Sequence, residues 1–321
     1  MTDTATETGN KQSLIKQRRD EHFEAAFQDT PPFPHVVLVE MANVCNHGCT
    51  FCAYSKMTRP ANVLDPELFE RVMAEAYDAG AKEVGLYSGA EPFTSKYFTE
   101  FVRISKKLGY TYIYTTTNGS LPKQDGLKKT IDAGLDSIKF SVNGGDPETY
   151  KLIHGKDHFE LVINNIKFVS EYRKSLDRPF YLAVSFVECA DNAHTYQKLE
   201  QLLAPYVDEF DHHLAVNQSG QMPHLPFDPP KTEICPNPFN RFHISAEGYM
   251  RACCNDYQNM LALEDLRNMS VMEAWHGQTF KALRQHHLDG TVEGTLCFNC
   301  LNGCSTPIQP IRPELGDWGQ I

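Results

Sequence analysis

Three cysteines near the start of the chain have a spacing that suits metal chemistry. Cys45, Cys49 and Cys52 lie within eight residues, so a single loop offers three thiolates. A structural zinc site normally takes four ligands, whereas three thiolates can hold three corners of a four-iron cluster and leave the fourth iron open to a chelating ligand. The same residues could instead be three buried cysteines, or a zinc site that is completed by His47.

A second group of cysteines occupies the last third of the chain: Cys235, Cys253, Cys254, Cys297, Cys300 and Cys304. Four of these thiolates are enough to saturate one further cluster or one structural zinc, and the residues alone leave both interpretations open. Because neighbouring side chains of a strand point to opposite faces, we expect only one of the adjacent pair Cys253 and Cys254 to face such a site.

The composition is that of an acidic globular protein. Its 321 residues include 30 Lys and Arg against 41 Asp and Glu, a formal net charge of −11, so we expect no nucleic-acid binding. No apolar run approaches the roughly 18 residues of a membrane span, and the N-terminus lacks the apolar core of a signal peptide. We therefore expect a cytoplasmic, reducing location, where grouped thiols bind metal rather than form disulfides.

Strand-like runs alternate with amphipathic helical segments along most of the chain. The predicted strands are 36–41, 82–89, 111–119, 137–144, 180–187 and 209–217. This alternation predicts right-handed βα units and a parallel sheet, in which ligands gather at the carboxyl ends of the strands. The first cysteine group follows the first predicted strand, and Cys189 follows the fifth.

Changes in composition and a proline-rich stretch divide the sequence into four predicted segments. Residues 1–34 form a polar N-terminal extension, and residues 35–221 hold the alternating strands and helices. A proline-rich linker over 222–231 then leads to a C-terminal domain over 232–321, which contains the second cysteine group.

The order of these segments resembles the radical S-adenosylmethionine (SAM) enzymes. CNHGCTFC resembles their CxxxCxxC signature, with Phe51 at the position of an aromatic residue near the adenine. Later strand ends resemble the family's GGEP, TNG and SxDG segments, although Ala90 and Asn143 depart from the family pattern and His154 replaces a frequent Arg. The resemblance assigns these residues, with Phe51, to cofactor binding: Ser88, Gly89, Ala90, Glu91, Pro92, Thr117, Asn118, Ser141 and Asn143.

This resemblance implies a partial (βα)6 barrel and a [4Fe-4S] cluster held by Cys45, Cys49 and Cys52. The open iron of the cluster would bind the amino and carboxylate groups of SAM. Reductive cleavage of SAM would give methionine and a 5′-deoxyadenosyl radical, which abstracts a hydrogen atom from a C–H bond of the substrate. The electron would come from a low-potential reductant such as flavodoxin or ferredoxin.

The C-terminal segment resembles the SPASM or shortened twitch extension of radical SAM enzymes, which holds auxiliary [4Fe-4S] clusters. Six cysteines are too few to saturate two clusters, so we expect one auxiliary cluster. Its expected ligands are Cys235, Cys253, Cys297 and Cys300. The sequence leaves open whether Cys254 replaces Cys253 and whether Cys304 replaces another ligand.

The reaction outcome is less constrained than the cofactors. The resemblance to twitch-type aminocyclitol dehydrogenases favours dehydrogenation of a small polar substrate, such as a sugar, an aminocyclitol or a glycoside, in natural-product biosynthesis, with the auxiliary cluster as electron acceptor. The alternative is radical epimerisation of such a substrate or of a peptide, with Cys189 as hydrogen-atom donor, or else Cys254 or Cys304. Cys189 could equally be a small packing residue. The rival from another class is a non-catalytic iron–sulfur or zinc protein.

Two histidine pairs resemble metal ligands at first sight. Neighbours on a strand face opposite ways, so we expect His212 and His213 to be solvated or packing residues. The pair His286 and His287 at a predicted helix end has the same expectation.

Overall fold

A computed structural model of the chain describes residues 26–227, 229–231 and 233–315. Most of the polar extension predicted over residues 1–34 lies outside these ranges. Nine strands form one sheet, in the order β6-β5-β4-β3-β2-β1-β7-β8-β9. The strands are β1 Val36–Val39, β2 Glu83–Gly85, β3 Tyr112–Thr117, β4 Ser137–Ser141, β5 Tyr181–Glu188, β6 Glu209–Leu214, β7 Arg241–Ile244, β8 Tyr249–Arg251 and β9 Ala262–Asp265.

The sheet is parallel from β6 to β7, and only the pairs β7–β8 and β8–β9 are antiparallel. This confirms the predicted α/β class. Residues from every strand between β1 and β6 line one cavity. Because neighbouring strands lie about 4.8 Å apart, the outer strands of a flat sheet could not reach a common cavity. The sheet therefore curves into a partial barrel, whose concave interior we call the lumen.

Helices cover the outer face of this sheet. Along β3, Tyr112, Tyr114 and Thr116 line the lumen, whereas Ile113 belongs to the hydrophobic core outside it. The helices are α1 Pro66–Asp78, α2 Phe98–Leu108, α3 Gln124–Asp132, α4 Pro147–His154, α5 Phe159–Tyr172, α6 Tyr196–Leu203, α7 Asn237–Asn240, α8 Val271–Trp275, α9 Gln278–Asp289 and α10 Leu296–Asn302. None of the helices in the described ranges is long and apolar enough to cross a bilayer.

Helix α4 was not predicted from the sequence, yet it has well-defined ends. The side chain of Asp146 accepts a hydrogen bond from Thr149 N, and Pro147 occupies the first turn, where its missing N–H costs nothing. Gly155 ends the helix in the left-handed conformation. The helix therefore delivers His154, its last residue, to the carboxyl end of the barrel.

The C-terminal part of the chain continues the barrel sheet. Strand β7 pairs parallel with β1 over four residues, from Val36 opposite Arg241 to Val39 opposite Ile244. Behind these strands Trp275 is fully buried, and its ring contacts those of Phe33 and Phe242. The predicted C-terminal domain thus shares both a sheet and a hydrophobic core with the barrel.

Candidate active site and second cysteine cavity

The first cysteine group lies in the loop that follows β1, as its position in the sequence predicts. Burial, together with the charges of Glu91 and Cys52, raises the pKa of Cys45 to about 11. Burial and the charges of Cys52 and Cys45 also raise the pKa of Cys49. Three half-buried thiols that are close enough to repel one another as thiolates need a compensating cation, and this donor set fits an iron–sulfur cluster.

Polar groups from distant parts of the chain approach these thiols. The hydroxyl of Tyr257 lies 3.7 Å from Cys52 Sγ, and Asn118 Nδ2 lies 4.0 Å from Cys45 Sγ. The ring of Tyr257 packs over Gly89, where an added Cβ would lie 3.2 Å from that ring. A side chain at this position would therefore require the Tyr257 ring to shift by a few tenths of an ångström.

Glu91, predicted to bind the cofactor, uses its carboxylate to join two strand ends. It accepts hydrogen bonds from Thr117 Oγ1 at 2.6 Å, from Asn118 N at 2.7 Å and from Phe93 N at 3.1 Å. Burial raises the pKa of this carboxyl to about 7. The structure therefore gives Glu91 a role in holding the end of β3 beside the loop after β2.

Asn143 has a comparable role at the end of β4. Its Oδ1 accepts a hydrogen bond from Val187 N at 2.7 Å, and its Nδ2 lies 3.3 Å from His154 Nε2. Ser141, two residues earlier, is half-buried and lies beside Ser185. Asn143 thus joins β4, β5 and α4, while Ser141 remains closer to open space.

Phe51 and Cys189 belong to one small apolar cluster. Phe51 is 8% exposed and forms this cluster with Ile153 and Ala215, and Cys189 packs against it. The backbone N–H of Cys189 donates to Asn192 Oδ1 at 2.7 Å. Cys189 therefore lies beside the first cysteine loop, and it is absent from the residues that line the lumen cavity.

A buried ion network that the sequence did not reveal supports the loop from the side of β1. Arg59 Nη2 lies 2.8 Å from Glu40 Oε1, and Arg59 Nη1 lies 2.8 Å from Glu247 Oε2. Arg251, from β8, lies 3.6 Å from Glu40 Oε2 and donates a 3.1 Å hydrogen bond to Ser88 Oγ. These charges connect the cofactor-binding segment at Ser88 to the C-terminal part of the chain.

The lumen holds a cavity of about 350 Å³ whose lining includes apolar, aromatic and charged residues. Lys139 Nζ lies 2.5 Å from Asp211 Oδ2, and His213 Nε2 lies 3.0 Å from Asp211 Oδ1. Tyr87 and Arg241 line the same cavity. His213, expected from the sequence to be a solvated or packing residue, is exposed and borders this cavity. Such hydroxyl and charged groups suit a polar ligand.

Tyr257 lines a wider cleft of about 840 Å³. The lining of the cleft also includes Ala53 and Lys56, next to the first cysteine loop, and Pro307 and Pro310 from the C-terminal segment. The cleft therefore runs between the first cysteine loop and the C-terminal segment. Its size suits an extended ligand rather than a single sugar.

Four cysteines of the second group line one small cavity: Cys235, Cys253, Cys297 and Cys300. Burial raises the pKa of Cys297, and the charges of the other three thiols raise it further. The remaining lining is mostly apolar. Four mutually close thiols in such surroundings form a donor set that fits a saturated cluster.

The remaining two cysteines lie outside this cavity. A hydrogen bond from Cys253 and the positive charge of Arg251 lower the pKa of Cys254, whereas burial and the charge of a Cys254 thiolate raise the pKa of Tyr87. Cys253 lines the four-cysteine cavity, while Cys254 lines neither that cavity nor the lumen cavity. Cys304 Sγ donates to Asn299 Oδ1 at 3.3 Å.

Comparison with protein families gives two matches, which follow one another along the chain. The family model for the radical SAM superfamily matches residues 39–182, and that for the SPASM iron–sulfur cluster-binding domain matches residues 235–301. The chain is a radical SAM protein with a SPASM domain. The radical SAM domain implies an enzyme with a [4Fe-4S] cluster and SAM, and the SPASM domain implies auxiliary iron–sulfur clusters, as predicted.

Solved structures of this architecture share the fold at low sequence identity. BtrN in complex with AdoMet and 2-DOIA has a TM-score of 0.57 at 17% identity, covering 87% of this chain and 97% of BtrN. Streptococcus suis SuiB bound to precursor peptide SuiA has a TM-score of 0.65 at 13% identity, covering 91% of this chain and 74% of SuiB.

The similarity to curated relatives is limited to part of each chain. A probable GTP 3′,8-cyclase of Methanothermobacter marburgensis is 34% identical over 124 residues, 39% of this chain and 40% of the relative. A probable GTP 3′,8-cyclase of Saccharolobus islandicus is 36% identical over 129 residues, 40% of this chain and 41% of the relative. The matches thus span about two-fifths of these relatives' length.

Proposed function

We propose that the two cysteine groups of this radical SAM enzyme hold two [4Fe-4S] clusters. Support comes from the three mutually repelling thiols after β1 and from the four thiols around the second cavity. The proposed ligands are Cys45, Cys49 and Cys52 for the SAM cluster, and Cys235, Cys253, Cys297 and Cys300 for one auxiliary cluster. In this proposal Cys254 and Cys304 are not ligands.

We propose that SAM lies against Phe51, the segment from Ser88 to Pro92, and Ser141. Four side chains at this site fix the strand ends, because they are engaged in hydrogen bonds within the protein: Glu91, Thr117, Asn118 and Asn143. When bound, the SAM cluster and SAM supply a radical that takes a hydrogen atom from a substrate C–H bond, and the auxiliary cluster supplies an electron acceptor.

The proposed reaction is the two-electron oxidation of a secondary alcohol to a ketone. Asn237 carries this proposal, because it borders both the lumen cavity and the four-cysteine cavity. A substrate in the lumen would therefore lie next to the auxiliary site. After its carbon loses a hydrogen atom, the alcohol must lose one electron and the hydroxyl proton. His213, held by Asp211, lines the lumen and is the proposed proton acceptor.

The lumen groups favour a small polar substrate such as a sugar, an aminocyclitol or a glycoside. Lys139, Asp211 and Arg241 offer charged and hydrogen-bonding contacts to hydroxyl or amino groups. BtrN, whose structure contains AdoMet and 2-DOIA, has the same fold. We also propose a low-potential flavodoxin or ferredoxin as reductant, a cytoplasmic location and a role in natural-product biosynthesis.

Epimerisation is the second candidate, and the position of Cys254 favours it. Cys254 interacts with Tyr87 at the lumen, whereas Cys189 packs beside Phe51 and Cys304 is bonded to Asn299. None of the three thiols lines the lumen cavity itself, and Cys254 is the proposed hydrogen-atom donor because its charge acts on Tyr87, a residue of the lumen wall. A peptide substrate would instead need the wide cleft beside Tyr257, and SuiB is a peptide-bound protein of this fold.

Anaerobic turnover in deuterated water separates these proposals. Candidate sugars and aminocyclitols are incubated with SAM and reductant, and products of wild type, Cys254→Ala and Cys189→Ala are compared. A ketone without carbon-bound deuterium, formed by all three proteins, supports dehydrogenation. Deuterium at carbon that is lost only in Cys254→Ala supports epimerisation. Cleavage of SAM with neither product rejects this substrate class, and absence of SAM cleavage would favour a non-catalytic iron–sulfur or zinc protein.

A further inference from the structure

His154 lies in the interior, between the first cysteine loop and the strand ends. The residue is fully buried, and its ring stacks on Tyr150 with a centroid separation of 4.1 Å. Its Nδ1 lies 3.4 Å from Cys49 Sγ and 3.2 Å from His47 Nδ1. The two ring nitrogens of His154 thus have different neighbours, and those neighbours determine where its proton sits.

The surroundings of Nε2 fix the tautomer of His154. The backbone N–H of Asn143 donates to this nitrogen at 3.1 Å, and Asn143 Nδ2 lies 3.3 Å from it. The Asn143 amide cannot be reversed, because its Oδ1 accepts the N–H of Val187. With two N–H groups facing it, Nε2 must be unprotonated, so a neutral ring carries its proton on Nδ1.

This tautomer determines whether His154 can bind a metal ion or can donate a hydrogen bond. His47, Cys49 and His154 offer ligand atoms within 4.8 Å of one another, an arrangement that also suits a single zinc ion. A protonated Nδ1 cannot bind a metal, but it can donate a hydrogen bond. Of its two neighbours, a Cys49 thiolate is charged and is therefore a stronger acceptor than the neutral His47 ring.

We propose that His154 is a positioning residue that donates its Nδ1–H to the Cys49 thiolate of the SAM cluster. An N–H···S hydrogen bond stabilises the reduced cluster, which carries one more negative charge, over the oxidised cluster. The bond therefore raises the reduction potential. The inference rests on the proposed ligation by Cys49 and is independent of the substrate and of the reaction outcome.

Three substitutions test this donor by redox titration of the SAM cluster, followed by electron paramagnetic resonance. His154→Phe keeps a ring against Tyr150 but removes the donor, and we expect about a tenfold lower ratio of reduced to oxidised cluster at a fixed potential, equal to about 59 mV for a one-electron couple. His154→Asn places an amide nitrogen at the position of Nδ1 and should restore most of the potential. The matched control is His158→Phe, because His158 contacts His47 rather than Cys49 and should leave the potential unchanged.

Equal shifts in His154→Phe and His154→Asn, or no shift in either, would overturn the inference. A measurement on the wild type covers the case in which these variants do not load a cluster. Pulsed electron paramagnetic resonance of the reduced protein, with ¹⁵N only in histidine, should detect one weakly coupled nitrogen across the hydrogen bond. A loaded cluster without that coupling also overturns the inference, whereas failure of the wild type to form any SAM cluster rejects the proposed ligation itself.

Discussion

Tyr257 and Cys52 are 205 residues apart in the sequence, yet the tyrosine hydroxyl lies 3.7 Å from the cysteine sulfur. The tyrosine lies between Cys254 and Cys297 of the second cysteine group, and Cys52 belongs to the first group. A residue of the C-terminal part of the chain therefore completes the surroundings of the proposed SAM cluster. The contact links the two halves of the site directly.

Tyr257→Phe should lower the reduction potential of the SAM cluster. The substitution keeps the ring against Gly89 and removes a hydrogen-bond donor to the proposed ligand Cys52, so we expect a shift of about 30–60 mV to more negative values. Redox titration measures this shift. Tyr249→Phe is the control, because the Tyr249 hydroxyl contacts Arg267 and its loss should leave the potential unaltered. An unchanged potential in Tyr257→Phe would show that its hydroxyl does not donate to Cys52.

Gly89→Ala should weaken SAM binding. The added Cβ would lie 3.1 Å from Glu40 Oε1 and 3.2 Å from the Tyr257 ring, so these side chains must shift by a few tenths of an ångström. We expect roughly a tenfold higher Kd for SAM, about 1.4 kcal/mol, measured by anaerobic calorimetry. Gly126→Ala on α3, where the nearest atom lies 4.0 Å from an added Cβ, should leave the Kd unchanged. Equal affinities for both variants would mean that the close packing at Gly89 does not position SAM.

Cys297→Ala should remove one cluster and leave the other. Cys297 lines the four-cysteine cavity, so its loss should lower the iron content of the reconstituted protein from about eight to about four atoms per chain. Cys254→Ala and Cys304→Ala should retain about eight, because neither thiol lines that cavity. Iron and sulfide analysis after anaerobic reconstitution measures the number of clusters in each variant. Loss of iron in Cys254→Ala alone would assign the ligand role to Cys254 instead of Cys253.

Arg59→Met should destabilise the fold strongly. The substitution leaves the carboxylate of Glu40 buried, with Arg251 as its remaining, more distant cation. Removal of one partner of a buried ion pair lowers the free energy of unfolding by about 3–5 kcal/mol. Anaerobic urea unfolding followed by circular dichroism measures the loss. Arg103→Ala breaks an ion pair with Glu100 in which both side chains are about half exposed, and it should change the free energy of unfolding by less than about 1 kcal/mol. Similar losses in the two variants would contradict the importance of the buried network.

Local patterns in the sequence were sufficient for the parts of the site that lie within one segment. The spacing from Cys45 to Cys52 and its place after a strand predicted the first cysteine loop. Alternating apolar patterns predicted the six barrel strands and five of the helices around them. These predictions succeed because burial of one face imposes a regular period on the residues of a strand or helix.

The features that were missed depend on contacts between distant segments. Asn143 and Glu91 remain predicted cofactor-binding residues, and only the fold shows that their side chains also accept backbone N–H groups from neighbouring strands. Helix α4 is short, and its capping residues Asp146 and Gly155 resemble those of an ordinary turn. The pairing of β7 with β1 joins residues about 200 positions apart, and no local period encodes it.

That pairing has a mechanical consequence. Strand β7 connects the C-terminal part of the chain, which includes the second cysteine cavity, to β1 through backbone hydrogen bonds. The cavity can therefore move away from the barrel only if those hydrogen bonds break. The distance between the two cysteine groups is therefore set by the sheet itself. Any large change in that distance would require the backbone hydrogen bonds between β1 and β7 to break.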